Sequence, residues 1–136
     1  MITGIAHVCI GSPDLGATAR FYCEGLGFRK KFDFIRNGEV AGFYLEAGAG
    51  AFVEVFRNDR INREGTPPIM HLCLETDDID NVRRQLKKAG FEVTEKAMGA
   101  DNSWQCWTKD PAGVSIEFHE YTAESSQKTG ADCVLG

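Results

Sequence analysis

An α+β fold built from two tandem βαβββ modules, joined into a curved mixed sheet, is predicted by three observations. Residues 5–10, Ile-Ala-His-Val-Cys-Ile, return at 69–74 as Ile-Met-His-Leu-Cys-Leu. Phe-Val-Glu-Val-Phe at 52–56 is matched by Ser-Ile-Glu-Phe-His at 115–119. The spacing from His7 to His71 is 64 residues and from Glu54 to Glu117 it is 63, close to half of the 136-residue chain. A period of that size marks a duplicated module.

The elements follow in order. Residues 3–10 are a short aliphatic run and read as a buried strand. Gly11-Ser12-Pro13-Asp14 ends it, with Ser12 as helix N-cap and Pro13 at the first helical position. The helix should run to about Glu24, burying Leu15, Ala19, Tyr22 and Leu26, with Gly25 or Gly27 as the stop. Phe21 and Tyr22 are expected in the core. Strands at 28–34 and 41–47 flank Asn37-Gly38, a strong hairpin signal, and a fourth strand covers 51–57. Module one is therefore 1–57. Residues 58–68 are polar, contain two prolines and lack apolar periodicity, which makes them a linker.

Module two, 69–121, repeats the plan. A strand at 69–75 leads to Thr76-Asp77-Asp78, acidic caps favoured at a helix N-terminus. Ile79, Val82, Leu86 and Ala89 give the buried stripe. Arg83, Arg84, Lys87 and Lys88 make a solvated face matched to the helix dipole. Residues 91–96 read as a strand and 97–102 as a loop. Strands at 103–109 and 114–121 flank the Asp110-Pro-Ala-Gly113 turn. The tail, 122–136, is polar and rich in small residues, a composition that stays ordered only when docked on its own domain or on a neighbour. The whole chain, 1–136, is read as a single domain, since this length suits one core.

Twenty acidic against fifteen basic residues give a net charge of −5, which argues against nucleic acid or an anionic membrane as partner. No apolar run approaches the length of a membrane span, and the opening residues carry no signal pattern, so a cytoplasmic protein is expected. Five cysteines, at 9, 23, 73, 106 and 133, form no C-x-x-C pair and are expected to be reduced. Cys9 and Cys73 share strand faces with the histidines, where small buried thiols usually serve as packing.

Chemistry is expected where the repeats converge. A pseudo-twofold relation between modules would set His7 opposite His71 and Glu54 opposite Glu117, on the floor of an apolar cup. Buried carboxylates need a compensating positive charge. Two nitrogens and two oxygens suit a divalent metal such as nickel, cobalt, zinc, manganese or iron, and open positions would make it a Lewis acid. On neighbouring positions, Phe56 shares the face of Glu54, and His119 that of Glu117. Trp104 and Trp107 precede the Asp110 turn and offer a stacking wall or core filling.

These residues resemble the vicinal oxygen chelate superfamily, and within it the bacterial type of glyoxalase I, or lactoylglutathione lyase. The resemblance runs to about Tyr121. It rests on His7, Asp14-Leu15, Phe21-Tyr22 with Gly27-Phe28, Glu54, His71, the Asp110 to Gly113 turn and Glu117. It implies that His7, Glu54, His71 and Glu117 ligate a metal, with nickel or cobalt favoured. It also implies a homodimer, in which a site takes His7 and Glu54 from one subunit and His71 and Glu117 from the other. The implied reaction is proton transfer through a metal-bound enediolate on a hemithioacetal or related vicinal-oxygen substrate. Glu117 is the first candidate base and Glu54 the second. Asn58 matches a glutathione-contacting asparagine, whereas Gly11 stands where the bacterial enzymes typically carry an arginine.

Three other functions sit on the same fold: a metal-dependent epimerase, an iron-dependent dioxygenase, and a binding module that sequesters a small molecule, as in the bleomycin-resistance branch. A dioxygenase needs two histidines and one glutamate, so Glu54 counts against it. The binding branch lacks the tetrad. Fold alone decides none of these.

Overall fold

The computed structural model describes residues 8–59, 71–129 and 131, which fall into two compact units. The first holds residues 8–59 with 111–113; the second holds 71–110 with 114–129 and 131.

In the first unit, β1 (Val8–Ser12) leads to α1 (Leu15–Ala19) and a π-helical turn (Arg20–Gly25), then β2 (Arg29–Arg36), β3 (Glu39–Gly48) and β4 (Ala51–Arg57). The sheet order is β1-β4-β3-β2, with β1 parallel to β4 and the other pairs antiparallel. The second unit repeats this with β5 (Leu72–Glu75), α2 (Ile79–Lys88), β6 (Ala97–Met98), β7 (Ser103–Lys109) and β8 (Ser115–Tyr121), in the order β5-β8-β7-β6. The tandem βαβββ plan is therefore present, as two four-stranded mixed sheets. No helix among the described residues is long and apolar enough to cross a membrane.

Strand alternation divides each sheet into two faces. In the first, Val53, Val55, Phe43 and Leu45 are buried with Phe21 and Tyr22 of the helical segment. In the second, Ile116, Phe118 and Cys106 are buried, as are Ile79 and Leu86 of α2.

Several local expectations need correction. Asp14, not Ser12, caps α1, accepting from the Ala17 amide at 2.9 Å. Ser12 is instead fully buried, with its hydroxyl 2.7 Å from that of Thr18. The expected stripe of Leu15, Ala19, Tyr22 and Leu26 becomes Thr18, Phe21, Tyr22 and Gly25. The π-helical turn is the cause: its extra residue brings two adjacent aromatics inward, ring centroids 5.0 Å apart. Gly27, at φ 72, then stops the helix.

Residues 91–96 form no ladder strand, and β6 lies where a loop was expected. Thr94 explains this: its amide donates to the Trp107 carbonyl at 2.9 Å, but its hydroxyl, not its carbonyl, accepts from the Trp107 amide at 2.9 Å. A side chain has replaced one rung of the ladder.

Other expectations hold. Asn37 and Gly38 take φ of 53° and 80°, the paired positive values of a tight hairpin turn. In α2 the cap is Asp78, accepting from the Asn81 amide at 2.8 Å. The Asp110 carboxylate accepts from the Val114 amide at 2.8 Å, closing the β7–β8 turn. Of the tail, α3 (Ser126–Thr129) is docked on its own unit. The Ser125 hydroxyl meets Ser103 at 3.0 Å and donates to the Asn102 carbonyl at 2.9 Å, while the Thr122 hydroxyl donates to that carbonyl at 2.8 Å. Of the linker, Asn58 and Asp59 are described, and the rest lies outside the described residues.

Candidate metal-binding face

The face of the second sheet turned away from α2 gathers the candidate groups. On β8, Glu117, His119 and Tyr121 share it. The Cα partners of Glu117 are Cys73 on β5 and Trp107 on β7, and those of His119 are Glu75 and Gln105. Glu117 is 7% exposed and His119 is 8% exposed, so a carboxylate and an imidazole are held largely out of water.

His71 brings its Nε2 to 3.2 Å from Glu117 Oε2, and His119 brings its Nε2 to 3.0 Å from Glu117 Oε1. The second contact is close, yet its geometry is not that of a hydrogen bond, and His119 Nε2 is a buried polar atom without a hydrogen-bond partner. The other nitrogen of His119, Nδ1, faces Asp101 Oδ2 at 3.7 Å. Asp101 is fixed in turn by the Ser103 amide at 3.1 Å and Gln105 Nε2 at 3.4 Å. Gly99 makes room for this: a Cβ there would lie 2.1 Å from Gln105 Nε2 and 2.7 Å from Asp101 Oδ1. His71 also meets the edge of Trp107, centroids 5.1 Å apart.

The electrostatics are those of an acidic site. The Cys73 thiol is pushed up to about 12, first by burial and then by the negative charge of Glu117. Tyr121 is raised by burial and by the charges of Cys73, Glu75, Asp101 and Glu117. Such a place favours a cation. A buried carboxylate between two imidazoles, one of them with an orphaned ring nitrogen 3.0 Å away, is a donor set that fits a divalent metal.

The first unit carries the equivalent strand face. Glu54 on β4 has Cys9 and Tyr44 as its Cα partners. Burial and a hydrogen bond to Glu54 raise the Cys9 thiol. Phe56, half-buried on the same face, tilts against Phe34 at 4.6 Å, and Tyr44 stacks on Phe32 at 4.9 Å and Phe52 at 5.3 Å. Asn58 is exposed, its amide bonded to the Ser12 carbonyl at 2.8 Å.

The predicted residues thus divide. His71, Glu117, His119 and Trp107 come together in the second unit, and Glu54 and Phe56 share a face in the first. His7 lies outside the described residues. Trp104 is on the opposite face from Trp107, under Lys96 Nζ at 4.8 Å, so the two tryptophans form no common wall. As whole residues Cys9 and Cys73 are exposed, not closed into the core as expected, although partial burial of their thiols raises both. Asp101, Gln105 and Tyr44 join these faces without having been predicted: Gln105 shares strand parity with Trp107, and Tyr44 is the Cα partner of Glu54. A separate cleft lined by Phe91, Val93, Lys87, Lys109 and others shares only Trp107 with the predicted site.

The duplicated βαβββ units are those of a glyoxalase-type fold. Residues 4–118 match the model of the Glyoxalase/Bleomycin resistance protein/Dioxygenase superfamily, and the chain belongs to that superfamily. Among solved structures it is similar to a glyoxalase family protein from Enterococcus faecalis, at 26% identity and a TM-score of 0.73, covering 86% of this chain and 97% of that one. It is also similar in fold to lactoylglutathione lyase from Agrobacterium tumefaciens, at 19% identity and a TM-score of 0.65 over 87% and 93% of the two chains. A further neighbour is a glutamate-to-glutamine mutant of the fosfomycin resistance protein FosX from Listeria monocytogenes, solved with Mn(II) and 1S,2S-dihydroxypropylphosphonic acid. Its identity is 16% and its TM-score 0.73, over 95% of this chain and 99% of that one. No curated protein matches the chain.

Proposed function

We propose that the protein is a metal-dependent lyase or isomerase of the glyoxalase I type, moving a proton between adjacent carbons of a hemithioacetal or related vicinal-oxygen substrate. The observation that carries this reading is Glu117, a buried carboxylate held by His71 at 3.2 Å and repeated in the first unit by Glu54. His7, Glu54, His71 and Glu117 would hold the metal, nickel or cobalt before zinc, manganese or iron, in a single domain assembled from both modules. Bound there, it would supply Lewis-acid polarisation of two adjacent substrate oxygens.

The chain's own residues do the rest. Glu117 takes the proton from the carbon bearing one oxygen and returns it to the neighbouring carbon, with Glu54 as the second candidate base. Burial favours this, because a carboxylate held largely out of water is shielded from competing proton exchange with solvent. His71 restrains one carboxylate oxygen. Phe56 and Trp107 offer apolar walls to the substrate body, His119 a polar contact, and Asn58 a handle at the rim. Trp104, facing the other way, has no part. A homodimer in the cytoplasm completes the reading.

The test starts from metal-free protein reloaded with nickel, cobalt or zinc and offered methylglyoxal with glutathione. Stoichiometric metal with isomerisation supports the reading, and Glu117→Gln should then lower kcat by at least about a hundredfold while the fold persists. Unchanged turnover in that variant removes Glu117 from its role. Tight metal binding without turnover shifts the assignment to an epimerase or another thiol adduct. No binding leaves a small-molecule binding module.

A further inference from the structure

The two units are built alike but not furnished alike, and the difference lies two residues after each glutamate. In the first unit the face reads Cys9, Glu54, Phe56; in the second it reads Cys73, Glu117, His119. An aromatic ring has been exchanged for an imidazole that is nine-tenths buried and whose Nε2 has no hydrogen-bond partner. That nitrogen lies 3.0 Å from Glu117 Oε1 without the geometry of a hydrogen bond. One ligand atom each from Cys73, Glu117 and His119 lie within 4.8 Å of one another.

We propose that Cys73, Glu117 and His119 form a cation site of the second unit's own, selective for thiophilic divalent ions of the zinc class. It rests on the reading of the Glu117 face as cation-binding, but not on His7 or Glu54.

Three features support it beyond proximity. A sulfur, a nitrogen and an oxygen donor with one open position is an accepted zinc-type set, and a thiolate favours zinc-class ions over harder ones. Donors of a tetrahedral site stand roughly 3.5 Å apart at normal bond lengths, so closure from the present spread asks for side-chain adjustment only. His119 also has the support that metal-bound imidazoles usually have, a carboxylate at its other nitrogen: Asp101 Oδ2 faces Nδ1 at 3.7 Å. His71, on the second oxygen of Glu117, keeps that carboxylate turned toward the pair. On binding, the Cys73 S–H bond breaks, its proton passes to solvent and the sulfur lone pair forms the bond to the ion. No oxidant or reductant is involved. The first unit, with Phe56 in the third place, is an internal control.

The probe is cadmium(II), titrated into the full reduced chain and followed by its thiolate charge-transfer absorption in the ultraviolet. The expected result is one band saturating at one ion per chain, with about one proton released. Cys73→Ser should abolish the band, and His119→Gln should weaken binding at least about tenfold. Cys9→Ser should leave both band and affinity unchanged. Circular dichroism confirms that each variant is folded. A band that survives Cys73→Ser, or one lost in Cys9→Ser, overturns the proposal. Cadmium binding without a thiolate band, lost in Glu54→Gln, overturns it too while leaving the His7, Glu54, His71, Glu117 reading intact. A thiolate band with all the expected variant effects, in a protein that never isomerises the hemithioacetal, sustains this site and removes the lyase.

Discussion

At the scale of single residues, Gly42 shows how tightly the first sheet is specified. It is the Cα partner of Phe56, and a Cβ there would lie 2.2 Å from the Val55 carbonyl and 2.9 Å from the Phe56 ring. The backbone oxygen cannot move without breaking the β3–β4 ladder, so the strand must shift or the ring must leave. Gly42→Ala is expected to cost about 1–3 kcal/mol, read from the midpoint of chemical denaturation. A variant as stable as the wild type would show that Phe56 is not held in this place. The same scale marks the limit of sequence reasoning. Glu54 and Glu117 were legible because they repeat at matching positions. Asp101 was not, because its role depends on a loop that turns back under Gln105 where Gly99 lets it pass.

At the scale of elements, α2 is tied to the segment before β6 by a charge network. Arg83 bonds the Thr94 carbonyl at 3.0 Å, lies 3.5 Å from Asp80 and pairs closely with Glu95, while Lys96 reaches Asp80 at 3.3 Å. The hydrogen bond from Lys96 and the nearby Arg83 hold the Asp80 carboxyl below its usual range, and Arg83 does the same for Glu95. Both titrate lower in the folded chain than in the unfolded one. Their stabilisation is therefore complete above about pH 4.5, the ordinary value for a glutamate, and is lost as pH falls through the depressed folded values. Arg83→Met should lower Tm slightly at neutral pH, since these are solvent-screened pairs, and the two Tm curves should converge in acid. Parallel curves down to the lowest pH would deny the pairs any part in stability. This network helps to explain why 91–96, strand-like in sequence, forms no ladder strand. Val93 alternates with polar neighbours as a strand would, but Thr94 commits its hydroxyl to the ladder and Arg83 takes its carbonyl, so regular pairing begins only at Ala97.

At the scale of the whole molecule, duplication made the fold readable and also hid part of the site. Repeated motifs made the module plan and the Glu positions legible, because both halves obey one pattern. They drew attention away from what differs between halves, and His119 against Phe56 is such a difference. The same logic gives a test of whether the halves act together. A nickel ion bound only by the folded chain stabilises it by about 2.7 kcal/mol at a hundredfold excess over Kd. That corresponds to a Tm rise on the order of 10 °C for a chain of this size, reversed by a chelator. Glu117→Gln should abolish the rise. Under the proposed tetrad, Glu54→Gln should reduce it as well, although the two glutamates lie in different units. If Glu54→Gln leaves the nickel-induced rise untouched, the second unit holds the ion alone, and the first repeat keeps its glutamate for the substrate rather than for the metal.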